Sequence, residues 1–237
     1  MSGLAIFISQ SVVFIGEEEV GLKTRIYGTT LPQGKIIATG SQKGPQADIL
    51  GPGLNISPFI NVIYDIKKDK VVTVPEGKLG LLTAKDGIPL SDNTYMAPAW
   101  KPDEISKMLD ANFFLSDGHG YRGPQVTVLK PGKYRINKKL FDISFQNSTD
   151  VPAGFVAVIR STVSFRDDCS NKYEKGQTNK DIGSMLVEKG CQGVWKKVLS
   201  PSTYYLNQKA YKSILVPTRV QKWVYKGGYT ERKIDLK

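Results

Sequence analysis

The chain has 237 residues, 40% of them apolar, with 33 basic and 22 acidic side chains and a net charge of +11. That apolar fraction suffices for a packed core and excludes an intrinsically disordered chain. The charge points to an anionic partner, either nucleic acid or a membrane surface. At the start, "LAIFISQSVVFI" (residues 4–15) is apolar apart from Ser9, Gln10 and Ser11. A bilayer span needs about 20 apolar residues, so this run is too short as it stands. It also lacks the basic lead and small-residue cleavage site of a signal peptide. Two readings stand: the end of a membrane anchor, or a strand entering the first folded unit.

The next stretches repeat. "IGEEEVGLKTRIYG" from Ile15, "VPEGKLGLLTAKDG" from Val74 and "VPAGFVAVIRSTV" from Val151 each join a polar turn holding a Gly to an apolar run. Each is followed by a second phrase: "GPQADILGPGLNI" from Gly44, "GPQVTVLKPGKYRIN" from Gly123 and "GVWKKVLSPSTYYLN" from Gly193. In every copy Leu (50, 129, 199) and Pro (52, 131, 201) follow the opening Gly at the same offsets. Two phrases recurring in one order predict tandem units of strand, insert, strand, turn and strand. The expected division is an apolar segment 1–15, units at 16–73, 74–150 and 151–226, and the start of a further element at 227–237. Ser202 stands where a turn Gly is expected, and Ala157 where the other copies have Gly21 and Gly80.

The inserts of the second and third units each suggest a helix. "KPDEISKMLDANFFL" has Pro102 at a first helical position, acids in the first turn, and Ile105, Met108, Leu109 and Phe113 at helical spacing. "NKDIGSMLVEKG" has Asn179 as an N-cap, Ile182, Met185 and Leu186 inward, and Gly190 as a stop. The expected fold class is therefore α+β, mainly short antiparallel strands in tandem subdomains, with one helix in each of the second and third.

The phrases "VPEGKLGLLTAKDG…GPQVTVLKPGKYRINKKLFDI", "VPAGFVAVI" and "LSPSTYYLNQKAYKSILVPTRVQKW" resemble the stomatin/prohibitin/flotillin (SPFH, band 7) superfamily. The likeness is strongest from Val151 to Trp223. It implies a non-enzymatic, membrane-associated scaffold that forms homo-oligomers and organises lipids or partner proteins, a membrane-bound protease or transporter among them. It also favours anionic lipid over nucleic acid as the basic chain's partner, since the basic pairs are scattered and match no nucleic-acid-binding motif. A long heptad helix, usual in the family, is not present before Lys237. A soluble vault-like shell of β repeats is the alternative.

Little in the sequence suggests chemistry. The single histidine, His119 in "LSDGHGYRGPQ", has Asp117 alone beside it, a poor start for a metal site, and no nucleophile elbow accompanies it. A hydrolase centred on His119 is the remaining enzymatic alternative, and the expectation is no enzyme, no cofactor and no metal. Cys169 and Cys191 either form a disulfide, which on the chain-entropy model contributes about 3 kcal/mol, or remain two thiols in a reducing compartment. Trp195 replaces the Gln46 and Gln125 of the other copies, and Trp223 follows "VPTRVQ". With Val216 and Arg219 they form the expected contact surface, because exposed Trp is enriched at protein and membrane interfaces.

Overall fold

The computed structural model describes residues 9–92, 94–116, 119–164, 169 and 186–219. The first unit holds β1 (Val12–Ile15), β2 (Glu19–Arg25), β3 (Gly44–Leu50), β4 (Gly53–Ile56), the one-turn helix α1 (Ile60–Ile63) and β5 (Tyr64–Lys70). The second holds β6 (Val72–Val74) and β7 (Lys78–Ala84), then a 3-10 turn at Pro102–Glu104 with helices α2 (Ile105–Leu109) and α3 (Ala111–Leu115). It closes with β8 (Gly123–Leu129), β9 (Gly132–Tyr134) and β10 (Phe141–Asn147). The third holds β11 (Thr149–Val151), β12 (Phe155–Ser161), β13 (Leu186–Val187), β14 (Gly193–Trp195), β15 (Ser202–Tyr204) and β16 (Tyr211–Pro217).

All three units are wired alike. A short opening strand pairs antiparallel with the strand after the Pro turn: β1 with β4, β6 with β9, β11 with β15. A long central strand lies between the strand before the Pro turn and the last strand, giving the orders β3-β2-β5, β10-β7-β8 and β14-β12-β16. Registers coincide residue by residue. Gly21 faces Leu50, Gly80 faces Leu129, and Ala157 bridges Leu199. Further along, Arg25 faces Gly44, Ala84 faces Gly123, and Ser161 faces Gly193. Between these points the strand before the turn carries extra residues, a bulge that bends it over the core. Its opening Gly recurs because φ is +117° at Gly44, +114° at Gly123 and +132° at Gly193, where a side chain is strained. Leu129 is buried, whereas Leu199 at the matching position is half-buried.

The α+β expectation is corrected by the fold: the described residues are 47% strand and 11% helix, a mostly β architecture. The periodic run from Pro102 does turn helically, but Asp110 breaks it. Asp110 takes an extended backbone (φ −75°, ψ 108°) and its carboxylate accepts from the Asn112 and Phe113 amides, starting a second five-residue helix. Met108, Ala111 and Phe114 are buried, while Ile105, Leu109 and Phe113, expected on one helical face with Met108, are half-buried. In the third unit Leu186 belongs to β13, parallel to β14, and not to a helix. Asn179, Ile182 and Met185 lie outside the described residues. Bridging fixes β13 instead: Val187 opposite Trp195 repeats the parallel bridges Ala38–Gln46 and Ala97–Gln125 of the earlier inserts.

The largest core cluster joins the first two units, with Ile37 and Ala47 packed among Leu82, Met108, Phe114, Leu129, Leu140 and Phe141. Val151, Ala157, Ile159 and Trp195 make the core of the third. Met96 and Val126 of the second unit pack on Ala210 of the third.

Candidate assembly surfaces

Each of the last two units grips the unit before it by the same positions. Asn137 Nδ2 donates to the carbonyls of Gln46 and Ala47, at 2.8 Å each. Asn207 Nδ2 donates to the Gln125 carbonyl at 3.0 Å. One residue later, Lys138 pairs with Asp69 at 2.8 Å, while the equivalent Gln208 donates its backbone amide to Gln146 Oε1 at 3.2 Å. The Lys138 ammonium holds the Asp69 carboxyl below its usual range. Asp86, almost fully buried, accepts from the Ile36 and Ile37 amides of the first unit; its counterpart Val163 packs with Met96 of the second. Lys133 pairs with Glu18, and Arg135 donates to the Glu17 carbonyl.

This grammar defines a front face, turned to the preceding unit, and a back face, turned to the following one. Two faces are left uncovered by the described residues. On the front of the first unit, Tyr27 occupies the Asp86 position and is 68% exposed. Beside it Ile26 donates its amide to Ile63 across the strand ends. The exposed side chains Leu54, Ile56, Phe59 and Val62 continue this apolar end. Phe14, also exposed, is the cross-strand partner of Leu54. Ser11 and Asn61 tie the incoming chain to it: Phe59 N donates to Ser11 Oγ, and Asn61 Nδ2 to the carbonyls of Ser9 and Val12.

The back of the third unit is the other face that the described residues leave uncovered. Ile214 is 52% and Val216 41% exposed. Val216 occupies the position of Asp69 and Gln146, which hold the next unit elsewhere. Arg219 is exposed and lies along the Gly154 turn. Val216 and Arg219, two of the residues expected at a contact surface, are both exposed. Trp195 is not among them: it is buried at 4% exposure, with its ring edge-on to Tyr211 at 5.3 Å. Burial pushes the Tyr211 phenol up to about 12. Substituting Trp for Gln in this repeat therefore enlarges the core, and the indole N–H has no partner among the described residues. Trp223 lies outside the described residues.

Cys169 and Cys191 are disulfide-bonded, with their Cα atoms 5.5 Å apart. His119 stacks on Phe113 at 4.1 Å, and its Nδ1 lies 2.8 Å from Ser116 Oγ. That hydroxyl donates to the Phe113 carbonyl at 2.6 Å, so it caps a helix end and is not held for attack. A cleft of about 500 Å³ beside β6 and β10 offers Lys138 and Asp142 among apolar side chains. Among the described residues, no three His, Cys, Asp or Glu side chains gather to hold a metal, and no helix is long and apolar enough to cross a membrane. Comparison of the chain with family models, curated proteins and solved structures finds no match to any of them.

Proposed function

We propose that this chain is a non-enzymatic, membrane-associated scaffold of the stomatin/prohibitin/flotillin kind, which assembles side by side with its own copies and organises lipids or partner membrane proteins. The observation that carries the reading is the apolar front of the first unit. Tyr27, Leu54, Ile56, Phe59 and Val62 stand exposed, Tyr27 where its counterparts Asp86 and Val163 are covered, and residues 9–15 of the apolar run lie against this end. Aromatic and aliphatic side chains of this kind partition into the headgroup boundary of a bilayer, and a net charge of +11 favours anionic lipid. Lateral assembly draws support from β5, β10 and β16, each of which pairs on one side only among the described residues.

The test is flotation of the full chain with vesicles of phosphatidylcholine and phosphatidylserine. The wild-type chain floats, and a Leu54→Asp, Phe59→Asp double variant loses most of that binding while keeping its circular dichroism spectrum. Wild-type chain that stays in the soluble fraction would defeat the proposal. The identical wiring of three tandem β units favours one second reading, a soluble vault-like shell. Closed particles forming without lipid, seen by electron microscopy, would select it.

A further inference from the structure

The sheet face of the third unit that points away from the second carries an ordered ladder. Across β12 and β16, Val156 faces Val216, Val158 faces Ile214, and Arg160 faces Lys212. Side chains two apart on a strand share a face, so these six form one surface two strands wide and about 14 Å long. The matching positions in the first unit are Val20 with Asp69, Leu22 with Lys67, and Thr24 with Asp65. In the second they are Leu79 with Gln146, Leu81 with Ser144, and Thr83 with Asp142. There the central-strand residues are buried: Val20 and Leu79 at 0%, Leu22 at 5% and Leu81 at 9% exposure. In the third unit Val156 and Val158 are only half-buried, and their partners Ile214 and Val216 are exposed.

The charge at the end of this ladder is also inverted. Thr opposite Asp in the first two units becomes Arg160 opposite Lys212, two exposed like charges directly across a sheet, which is a destabilising arrangement. Neither side chain has an ion-pair partner among the described residues. A surface that is apolar for two rungs and doubly positive on the third matches a segment bearing apolar side chains followed by carboxylates. A second copy of this chain is a poor match, because its net charge is +11. Residues 220–237 are a poor match too, with five basic against two acidic side chains.

We infer that the β12–β16 face is a docking surface for an acidic polypeptide segment of another protein. Polypeptide is favoured over lipid because in both other units the next unit's chain contacts the position of Val216, Lys138 at Asp69 and Gln208 at Gln146. The inference also rests on the membrane reading above, which assigns the bilayer to the opposite end of the series, at the front of the first unit. Docking would neutralise Arg160 and Lys212 and bury Ile214 and Val216 together, so the partner's carboxylates set orientation and its apolar residues supply most of the affinity.

Fluorescence anisotropy on the full chain tests this with two labelled amphipathic peptides, alike in their leucine pattern, one carrying glutamates elsewhere and the other lysines. The glutamate peptide should bind at least tenfold more tightly. Arg160→Glu with Lys212→Glu should reverse that preference, and Ile214→Ser with Val216→Ser should weaken both. Equal binding of the two peptides, a preference that survives the charge reversal, or no binding of the glutamate peptide up to about 1 mM would each overturn it. Vesicle flotation separates this inference from the membrane reading. If Arg160→Glu with Lys212→Glu abolishes flotation, the face is a lipid contact and the inference is wrong. If Leu54→Asp with Phe59→Asp abolishes flotation but spares peptide binding, both readings stand.

Discussion

Asn137 reaches across the joint between the first two units and holds the Gln46 carbonyl at 2.8 Å from a fully buried position. Asn207 repeats the contact on the Gln125 carbonyl at the next joint. Replacing Asn137 by Ala leaves buried carbonyls without a donor, a loss of about 1–3 kcal/mol. Asn207→Ala, with one such bond, should cost less. Thermal unfolding of the two variants beside wild type checks the order, and equal midpoints for all three would show the joints do not depend on these amides.

The joint between the first two units also carries the Lys138–Asp69 pair, and Asp69's carboxyl is lowered chiefly by the hydrogen bond from Lys138. A depressed carboxylate stabilises the fold above its unfolded value near 3.8. That contribution is lost as pH falls through the folded value. The pair is partly exposed, so the gain is at most about 1 kcal/mol. Asp69→Asn should lower stability at pH 7 and converge on wild type in strong acid, and equilibrium unfolding across that range should trace the convergence. A constant difference at every pH would assign the effect to something other than charge.

Gly21 and Gly80 occupy one repeat position but sit in different room. A Cβ at Gly21 would meet Leu50 Cβ at 2.8 Å and Ile15 Cδ1 at 3.0 Å, whereas at Gly80 the nearest atom is Leu129 Cβ at 3.2 Å. The third unit accommodates Ala157 there, fully buried. Gly21→Ala should therefore destabilise by about 1–3 kcal/mol and Gly80→Ala by less. Denaturant midpoints for both variants decide it.

The Cys169–Cys191 bond closes a loop whose sequence separation is 22. Cys169→Ser with Cys191→Ser should cost about 3 kcal/mol on the chain-entropy model, felt in the third unit first. Thiol titration of the unfolded, unreduced chain should find no free thiol. Two free thiols in protein purified under oxidising conditions would contradict the bond.

Sequence alone settled the repeat. Gly44, Gly123 and Gly193 open one phrase in three copies because a positive φ is needed there, and Leu and Pro keep their offsets because side-chain direction alternates along a strand. Such constraints are local, so they are written in the order of residues. What the inserts become was not legible in the same way. The helical periodicity of 102–115 is real, but Asp110 caps a new turn inside it, and the flanking strands set how much chain is free to coil. Leu186 looked like a helix face and is a strand, because β14 offers it a partner in parallel register. Trp195 looked like a surface anchor, and only the packing of Tyr211 against it shows that it fills the core. The joints lie further still from sequence reach. Asp69 and Lys138, Asp86 and Ile37, and Asn137 and Gln46 are distant in the chain and have no motif in common. Their pairing, and with it the distinction between covered and uncovered faces, exists only once like-wired units are stacked, because it depends on which side of each unit a neighbour already occupies.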